Sequence, residues 1–166
     1  MADVVEVLLR YLHIVFAVAW IGAVFYGVAV LRTAMGRVEA AARKETMKKL
    51  IPVVIHYVPM VGALTITFGT LLYLYMSQFD VDTLVGTRWG LTILSSLVLT
   101  VATFSFGILV VIGGARRLLS HLEEESCTHG PEVVGLQRRF NRGQVAIMAL
   151  SLVIIALMVA ASRGLL

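Results

Sequence analysis

The sequence predicts an all-α fold, an integral membrane bundle of four antiparallel helices that forms a single transmembrane domain over residues 1–166. The first observation behind this prediction is composition: hydrophobic residues make up 59% of the chain, charged residues 14%, and the mean hydropathy is +0.91. Soluble domains are nearer about 45–50% apolar and about 25% charged. The second observation is that the apolar residues fall into four runs, each close to the roughly 20 residues that cross a bilayer.

The four runs occupy residues 11–31, 51–76, 89–115 and 144–161, and none contains Asp, Glu, Lys or Arg. We therefore expect helices at about 4–36, 48–77, 88–122 and 138–163. The first run follows Asp3 and Glu6 rather than a basic cluster, and it is longer than a signal-peptide core, so we expect a retained helix. A β-barrel would need alternating strands, whereas residues 152–161 are apolar on every face.

Basic residues are concentrated between the first and second runs and between the third and fourth. Segments 32–50 and 116–143 hold all the Lys and Arg side chains except Arg10, Arg88 and Arg163. The positive-inside rule then places these two loops in the cytoplasm, with both termini outside the cell membrane. The pI of about 9.6 therefore reflects membrane orientation and contact with anionic lipid, and it does not indicate a nucleic-acid partner.

Two histidines, His13 and His56, lie inside the predicted membrane helices, where ionisable side chains are costly and indicate functional sites. Each lies on a helix face of mostly small or hydroxylated residues, and the third helix has a similar face. We expect the three faces to meet in the interior of the bundle. The other members are Ala17, Trp20, Val24 and Gly27 on the first helix, Met60, Ala63, Thr67 and Thr70 on the second, and Ser96, Thr100, Thr103 and Gly107 on the third.

The depths of the two histidines separate them. His13 lies near the outer surface and His56 near the inner one, which places them roughly 15–20 Å apart along the membrane normal. Two ligands of one metal stand only about 4 Å apart, so the histidines cannot share an ion within one chain. If both bind metal, there are two sites. His121 is a candidate partner for His56, with His129 as a more mobile one.

The outer site has sulfur ligands at hand, because Met76 and Met158 end their helices near the level of His13. A purely structural role also fits either histidine, for example donation to the Ile55 carbonyl that Pro59 leaves free. Trp20 fits either a core position or a cofactor wall. No catalytic triad, zinc-protease motif, phosphate loop or carboxylate pair is present, and the spans lack the acidic side chains of proton-coupled relays.

The first span carries a resemblance to known families. Its segment 11–26 contains a histidine, a Trp-aliphatic-Gly triplet and an aromatic pair, which resembles the first helix of HemJ-type protoporphyrinogen oxidases, of CopD-type membrane proteins and of the membrane region of cytochrome-linked urate oxidases. The matching residues are His13, Trp20, Gly22, Phe25 and Tyr26, followed by Pro59, Met60 and Gly69, by Trp89, and by Arg139, Phe140 and Asn141.

The resemblance implies a four-helix membrane protein with b-type haem and His13 as an axial ligand. The HemJ-type pattern also implies a lysine four residues after the tryptophan, where this chain has Ile93. His56 is an addition to that pattern, of the kind that a second haem near the inner face needs. Cofactor contacts are expected from His13, His56, His121, Trp20, Tyr26 and Met60.

We therefore expect a membrane cytochrome that transfers electrons through one or two haem b groups, with a quinol or another carrier as partner. One alternative is a HemJ-like protoporphyrinogen oxidase. A second is a CopD-like copper-handling protein, since His13, Met60, Met76 and Met158 suit Cu(I). A structural or assembly subunit is the remaining interpretation. Partner, number of haems and homo-oligomerisation stay open.

Overall fold

The computed structural model describes residues 3–123 and 130–162, and within these ranges the chain is helical with no strands. Four of its helices are long and apolar enough to cross a membrane, with mean hydropathies between 1.8 and 2.6. We number the helices α1 to α5 in chain order.

The first helix, α1, is continuous but changes its winding. It runs as an α-helix over Val4–Phe25, as a π-helix over Tyr26–Leu31 and again as an α-helix over Arg32–Met35. Asp3 caps its start, because the carboxylate accepts the backbone N–H of Val5 at 3.1 Å and so satisfies one of the free donors of the first turn.

The second helix, α2, spans Ala40–Met76 and contains both Pro52 and Pro59. It begins at Ala40, eight residues before the start expected at about 48, while Arg32–Met35 lies within the expected first helix, 4–36. The reason is local, since residues 40–50 are rich in strong helix formers, and Lys49 pairs with Glu45 one turn earlier at 3.4 Å.

A turn and a short helix connect α2 to the third long helix. Gln78 and Phe79 adopt positive φ values of 53° and 61°, which reverses the chain after α2. The short helix α3, Val81–Gly86, is capped by Asp80. The buried Tyr73 hydroxyl lies 2.9 Å from the carbonyl oxygen of Leu84 and 3.1 Å from that of Gly90, so it ties this connection to α2.

The third long helix, α4, comprises Arg88–Phe106, a π-helical Gly107–Ile112 and Gly113–Glu123. The last long helix, α5, spans Gly130–Ser162. α4 ends one residue beyond the expected 122, whereas α5 begins eight residues before the expected 138, so only residues 124–129 of segment 116–143 lie outside the described helices.

The helices pack in an order that leaves many apolar side chains on the outside. α1 packs mainly on α2, and α4 on α5, while α2 also contacts α4, and α1 also contacts α5. An apolar core forms where α2, α4 and α5 meet near their charged ends, around Ile51, Ile55, Ile112, Ala115 and Leu118. By contrast, Val18 is 66% exposed and Leu109 is 76% exposed.

Hydroxyl side chains fill the centre of α4 as predicted. Ser96, Thr100 and Thr103 are all buried, and each hydroxyl donates to the carbonyl four residues earlier in the same helix, at 2.7–2.9 Å. These groups are satisfied within their own helix, so α4 presents a narrow buried face to its neighbours at little polar cost.

Candidate functional site

His13 is half-buried between α1 and α2, and one of its ring nitrogens is held by the backbone. Its Nδ1 lies 3.0 Å from the carbonyl oxygen of Thr65. Because a carbonyl can only accept, this contact assigns the proton to Nδ1 and leaves the lone pair on Nε2. Among the described residues Nε2 has no hydrogen-bond partner. A histidine that donates through one nitrogen and offers the other is arranged as metal-ligating histidines are.

Gly69 makes room for the His13 ring. A Cβ at this position would lie 2.7 Å from His13 Cε1 and 2.8 Å from Nδ1, closer than carbon atoms approach. The ring therefore lies directly against the α2 backbone one turn beyond Thr65. Making room for the His13 ring is a physical role for Gly69, which in the sequence is visible only as part of a resemblance.

A small cavity of about 100 Å³ adjoins His13. Met76 from the end of α2 and Met158 from α5 line it together with His13, so one histidine and two methionines border the same space. Ile93, which stands where the HemJ-type pattern has lysine, also lines it. The remaining lining residues are Thr65, Ile66, Gly69, Leu72, Tyr73, Leu97 and Thr100.

Charged side chains of the first turns of α1 lie beside Met76. Arg10 donates to Glu6 at 2.7 Å, and the same nitrogen lies 3.8 Å from the Met76 sulfur. Asp3 accepts a hydrogen bond from the Tyr75 hydroxyl. This bond, followed by the one from the Val5 N–H, holds the pKa of Asp3 below its usual value. The Glu6 carboxylate therefore offsets much of the positive charge that Arg10 places near the cavity.

His56 lies on the outside of the bundle, which is a correction to the expectation that its face of α2 points inward. Its Nδ1 donates a hydrogen bond to the carbonyl oxygen of Pro52 in the same helix, at 2.8 Å. Met60 is 54% exposed, and Ala63 and Thr67 are exposed as well. The reason is packing, since α2 buries the opposite side, which carries Ile55, Val61, Gly62, Thr65 and Tyr73.

The structure separates the other predicted site residues. His121 lies near the end of α4 and is partly buried, and neither cavity is lined by it or by His56 within the described residues. His129 falls outside those residues. On α2, His56 is thirteen residues from Gly69, which corresponds to about 20 Å of helix, so it is remote from His13 as predicted from depth.

Trp20 is buried at 6% exposure and forms an edge-to-face pair with Phe104, with ring centroids 5.9 Å apart. Gly62 permits this layer, because a Cβ there would lie 2.8 Å from the Phe104 ring and 3.2 Å from Trp20. Trp20 is therefore both a core residue and a cavity wall. On one side of the layer lies the His13 cavity.

On the other side lies a larger cavity of about 740 Å³. Trp20 and Phe104 form its inner end, and the exposed Tyr26 also lines it. Its far end carries Arg32, Arg43, Lys44 and Arg138. The sequence does not by itself predict this cavity, because these cations fall in segments expected to be loops, although the density of basic residues beside small ones such as Gly27 is a usable signal.

The volumes and lining residues of the two cavities show whether either could enclose a haem. Small-molecule sites occupy about 300–1,000 Å³, so the 100 Å³ cavity at His13 is too small to enclose a haem, whereas the 740 Å³ cavity is large enough but offers no histidine among its described residues. The cavity at His13 therefore does not enclose a haem. The described residues also hold no group of three or more His, Cys, Asp or Glu side chains that could bind a metal.

No protein-family model, curated protein or solved structure matches this chain.

Proposed function

We propose that this chain is an integral membrane protein that binds one soft metal ion, Cu(I), through His13, Met76 and Met158. The apolar exterior of the helices supports membrane insertion, and the placement of the basic residues supports an orientation. The metal site is supported by the residues that line the small cavity.

The exterior supports membrane insertion. Side chains such as Val18 and Leu109 are mostly exposed, and a surface this apolar is stable in lipid but would associate in water. The contact pairs support an antiparallel arrangement, since His13 lies against Gly69 and Trp20 against Gly62, in opposite chain order. Each of the four long helices also has the length and hydropathy of a span.

The charge distribution supports an orientation. Most basic side chains lie at the end of the bundle where α1 meets α2 and where α4 meets α5, and the positive-inside rule assigns that end to the cytoplasm. His13, Met76 and Met158 then belong to the outer half of a cell membrane.

The observation that carries the metal proposal is the shared cavity of His13, Met76 and Met158. Thioethers and neutral imidazole are soft or borderline ligands that select Cu(I) over hard cations. The Thr65 carbonyl keeps the His13 proton on Nδ1, so Nε2 keeps the lone pair that can coordinate a metal ion. A volume of about 100 Å³ admits an ion but not a large organic cofactor. Binding would require Met76 to release its weak contact with Arg10.

A membrane cytochrome with haem b is the second candidate, and one observation favours it. His and Met together are a known axial pair for haem iron, and here they border one space. When bound, haem would supply one-electron redox chemistry with a quinol or another carrier. The cavity at His13 does not enclose the macrocycle. A HemJ-like oxidase ranks lower still, because Ile93 brings no lysine to this cavity.

The test is anaerobic titration of purified protein with Cu(I) against a chromophoric Cu(I) chelator. We expect one Cu(I) per chain and loss of this binding in His13→Ala. Met76→Leu and Met158→Leu should each weaken binding about tenfold or more, equivalent to about 1.4 kcal/mol. Met60→Leu and His56→Ala are the matched controls, since both side chains lie outside the cavity, and they should bind as the native protein does.

A visible spectrum of the same preparation separates the two candidates. A Soret band that disappears in His13→Ala, in protein that retains no copper, would replace the Cu(I) proposal with the cytochrome. Loss of about half the haem in each of His13→Ala and His56→Ala would indicate the two-haem form. Equal copper binding by native protein and His13→Ala would refute the copper site.

A further inference from the structure

The 740 Å³ cavity on the other side of the Trp20–Phe104 layer has one apolar end and one basic end. Its walls are mostly aliphatic, and its far end carries the cations Arg32, Arg43, Lys44 and Arg138. No described residue that lines it is acidic. A ligand that matches this space has a hydrocarbon body and an anionic head, since guanidinium groups bind phosphate or carboxylate oxygens in pairs.

The depth of the cavity corresponds to one leaflet of a bilayer. Along α1, Trp20 and Arg32 are twelve residues apart, about 18 Å of helix, and along α5, Ile147 and Arg138 are nine residues apart, about 14 Å. Half of a bilayer's hydrocarbon core is about 15 Å. The cations therefore lie at headgroup level when the apolar end lies at the midplane.

Two irregular segments border the cavity. The π-helical stretches Tyr26–Leu31 and Gly107–Ile112 both contribute lining residues, one from each side. Such π-segments occur often at functional sites, because the extra residue per turn redirects neighbouring side chains. The amides of Gln137, Asn141 and Gln144 add hydrogen-bonding groups between the cations and the apolar walls.

We propose that this cavity binds an anionic phospholipid of the adjacent leaflet. One acyl chain enters as far as Trp20, and the phosphate binds the basic end. The volume lies within the range of small-molecule sites and suits one chain, while the cavity is open enough for the second chain to remain in the bilayer. This inference rests on the proposed membrane insertion and is independent of the Cu(I) site.

Trp20 supplies a probe, because the chain has only two tryptophans and Trp89 lies at the start of α4, away from this cavity. Trp89→Phe protein is reconstituted in phosphatidylcholine vesicles in which a minor fraction of lipid carries bromine near the end of its acyl chains. At equal content, we expect brominated phosphatidylglycerol to quench the Trp20 fluorescence at least about twofold more strongly than brominated phosphatidylcholine does.

Two sets of variants in the Trp89→Phe protein locate the effect. Replacing Arg32, Arg43, Lys44 and Arg138 together by glutamine should abolish the preference for phosphatidylglycerol. The matched control replaces Arg37, Lys48, Arg116 and Arg139, which removes the same charge from outside the cavity, and should keep it. Ala23→Phe fills the cavity and should reduce quenching by both lipids, whereas Ala29→Phe, on the exposed face of α1, should not.

Equal quenching by the two brominated lipids in the parent protein would overturn the proposal. Stronger quenching by a brominated fatty acid than by phosphatidylglycerol would overturn it too, and would assign the cavity to a carboxylate amphiphile. Flotation with vesicles after an alkaline wash reports membrane insertion separately, so failure of insertion is distinguishable from failure of lipid binding.

Discussion

At the scale of single residues, the His13 ring is restricted from two directions by α2. The Thr65 carbonyl oxygen accepts a hydrogen bond from Nδ1 at 3.0 Å, which fixes the tautomer. Gly69 has no side chain, so the ring can approach the helix. Orientation of this kind is what keeps a ligand's free nitrogen directed at one position. The His56 ring has a hydrogen bond of similar length, but its acceptor belongs to its own helix and its surroundings are exposed.

Gly69→Ala tests whether this close approach matters. The added methyl would meet the His13 ring at 2.7 Å, so we expect a loss of about 1–3 kcal/mol of stability from overpacking and weaker Cu(I) binding. Gly22→Ala is the control, because nothing lies within 4 Å of its Cβ position, and it should stabilise α1 by up to about 1 kcal/mol. Thermal unfolding in detergent measures both. Equal melting temperatures for the two variants would contradict the assigned role.

At the scale of helices, the end of α1 opposite the basic residues is joined to the end of α2 by polar contacts. Asp3 caps α1 through the Val5 N–H and accepts the Tyr75 hydroxyl of α2, while Arg10 pairs with Glu6. Asp80 caps α3 in the same way, and the hydroxyl of Thr83, then its N–H, lowers the pKa of that carboxyl. The helix ends on this side therefore depend on ionised carboxylates.

Tyr75→Phe should raise the pKa of Asp3 towards its usual value, because the tyrosine hydroxyl is the main cause of the lowering. Since the folded-state pKa lies below the unfolded one, the contact stabilises the fold above the unfolded-state pKa. That contribution disappears as the pH falls through the folded-state pKa. Carboxyl carbon chemical shifts followed by NMR over an acid titration measure the change. Tyr11→Phe, an exposed tyrosine on α1, is the control and should leave the titration of Asp3 unaltered.

At the scale of the whole molecule, the Trp20–Phe104 layer divides the bundle into two unlike halves. The half with His13 holds a small cavity with sulfur and imidazole donors, and the other half holds a leaflet-deep cavity with a basic end. The two proposed ligands, a soft cation and an anionic lipid, have opposite charges and belong to opposite membrane faces. The basic residues that orient the chain are then also ligand-binding residues.

The orientation is tested with single cysteines in a Cys127→Ser background, since the chain has one native cysteine. Ala41→Cys at the start of α2 and Val81→Cys at the start of α3 are both at exposed positions. The positive-inside rule predicts that a membrane-impermeant maleimide labels position 81 in intact cells and position 41 only after lysis. The reverse pattern would invert the proposed topology, and labelling of both in intact cells would contradict membrane spanning.

Several features follow from sequence because they depend on local, additive properties. Span length and hydropathy predict the four long helices, and the hydroxyl residues of α4 are buried where their spacing predicts. The depth argument also brings Met76 and Met158 to the level of His13, since helical rise is constant. The helix ends are less well predicted, because charged residues near 40–50 continue α2 rather than ending it.

What the sequence by itself determined is the apolar, four-helix character of the chain, the separation of His13 from His56, and the end of the bundle at which the basic residues lie. The tertiary structure alone decided how each helix is rotated, and with it that His56 and Met60 face outward while Thr65 and Gly69 face His13. The physical reason is that a helix apolar on every side carries no amphipathic signal for its inward face. Its rotation is selected by packing, such as the fit of the His13 ring on Gly69 and of Phe104 on Gly62, which exists only once the helices meet.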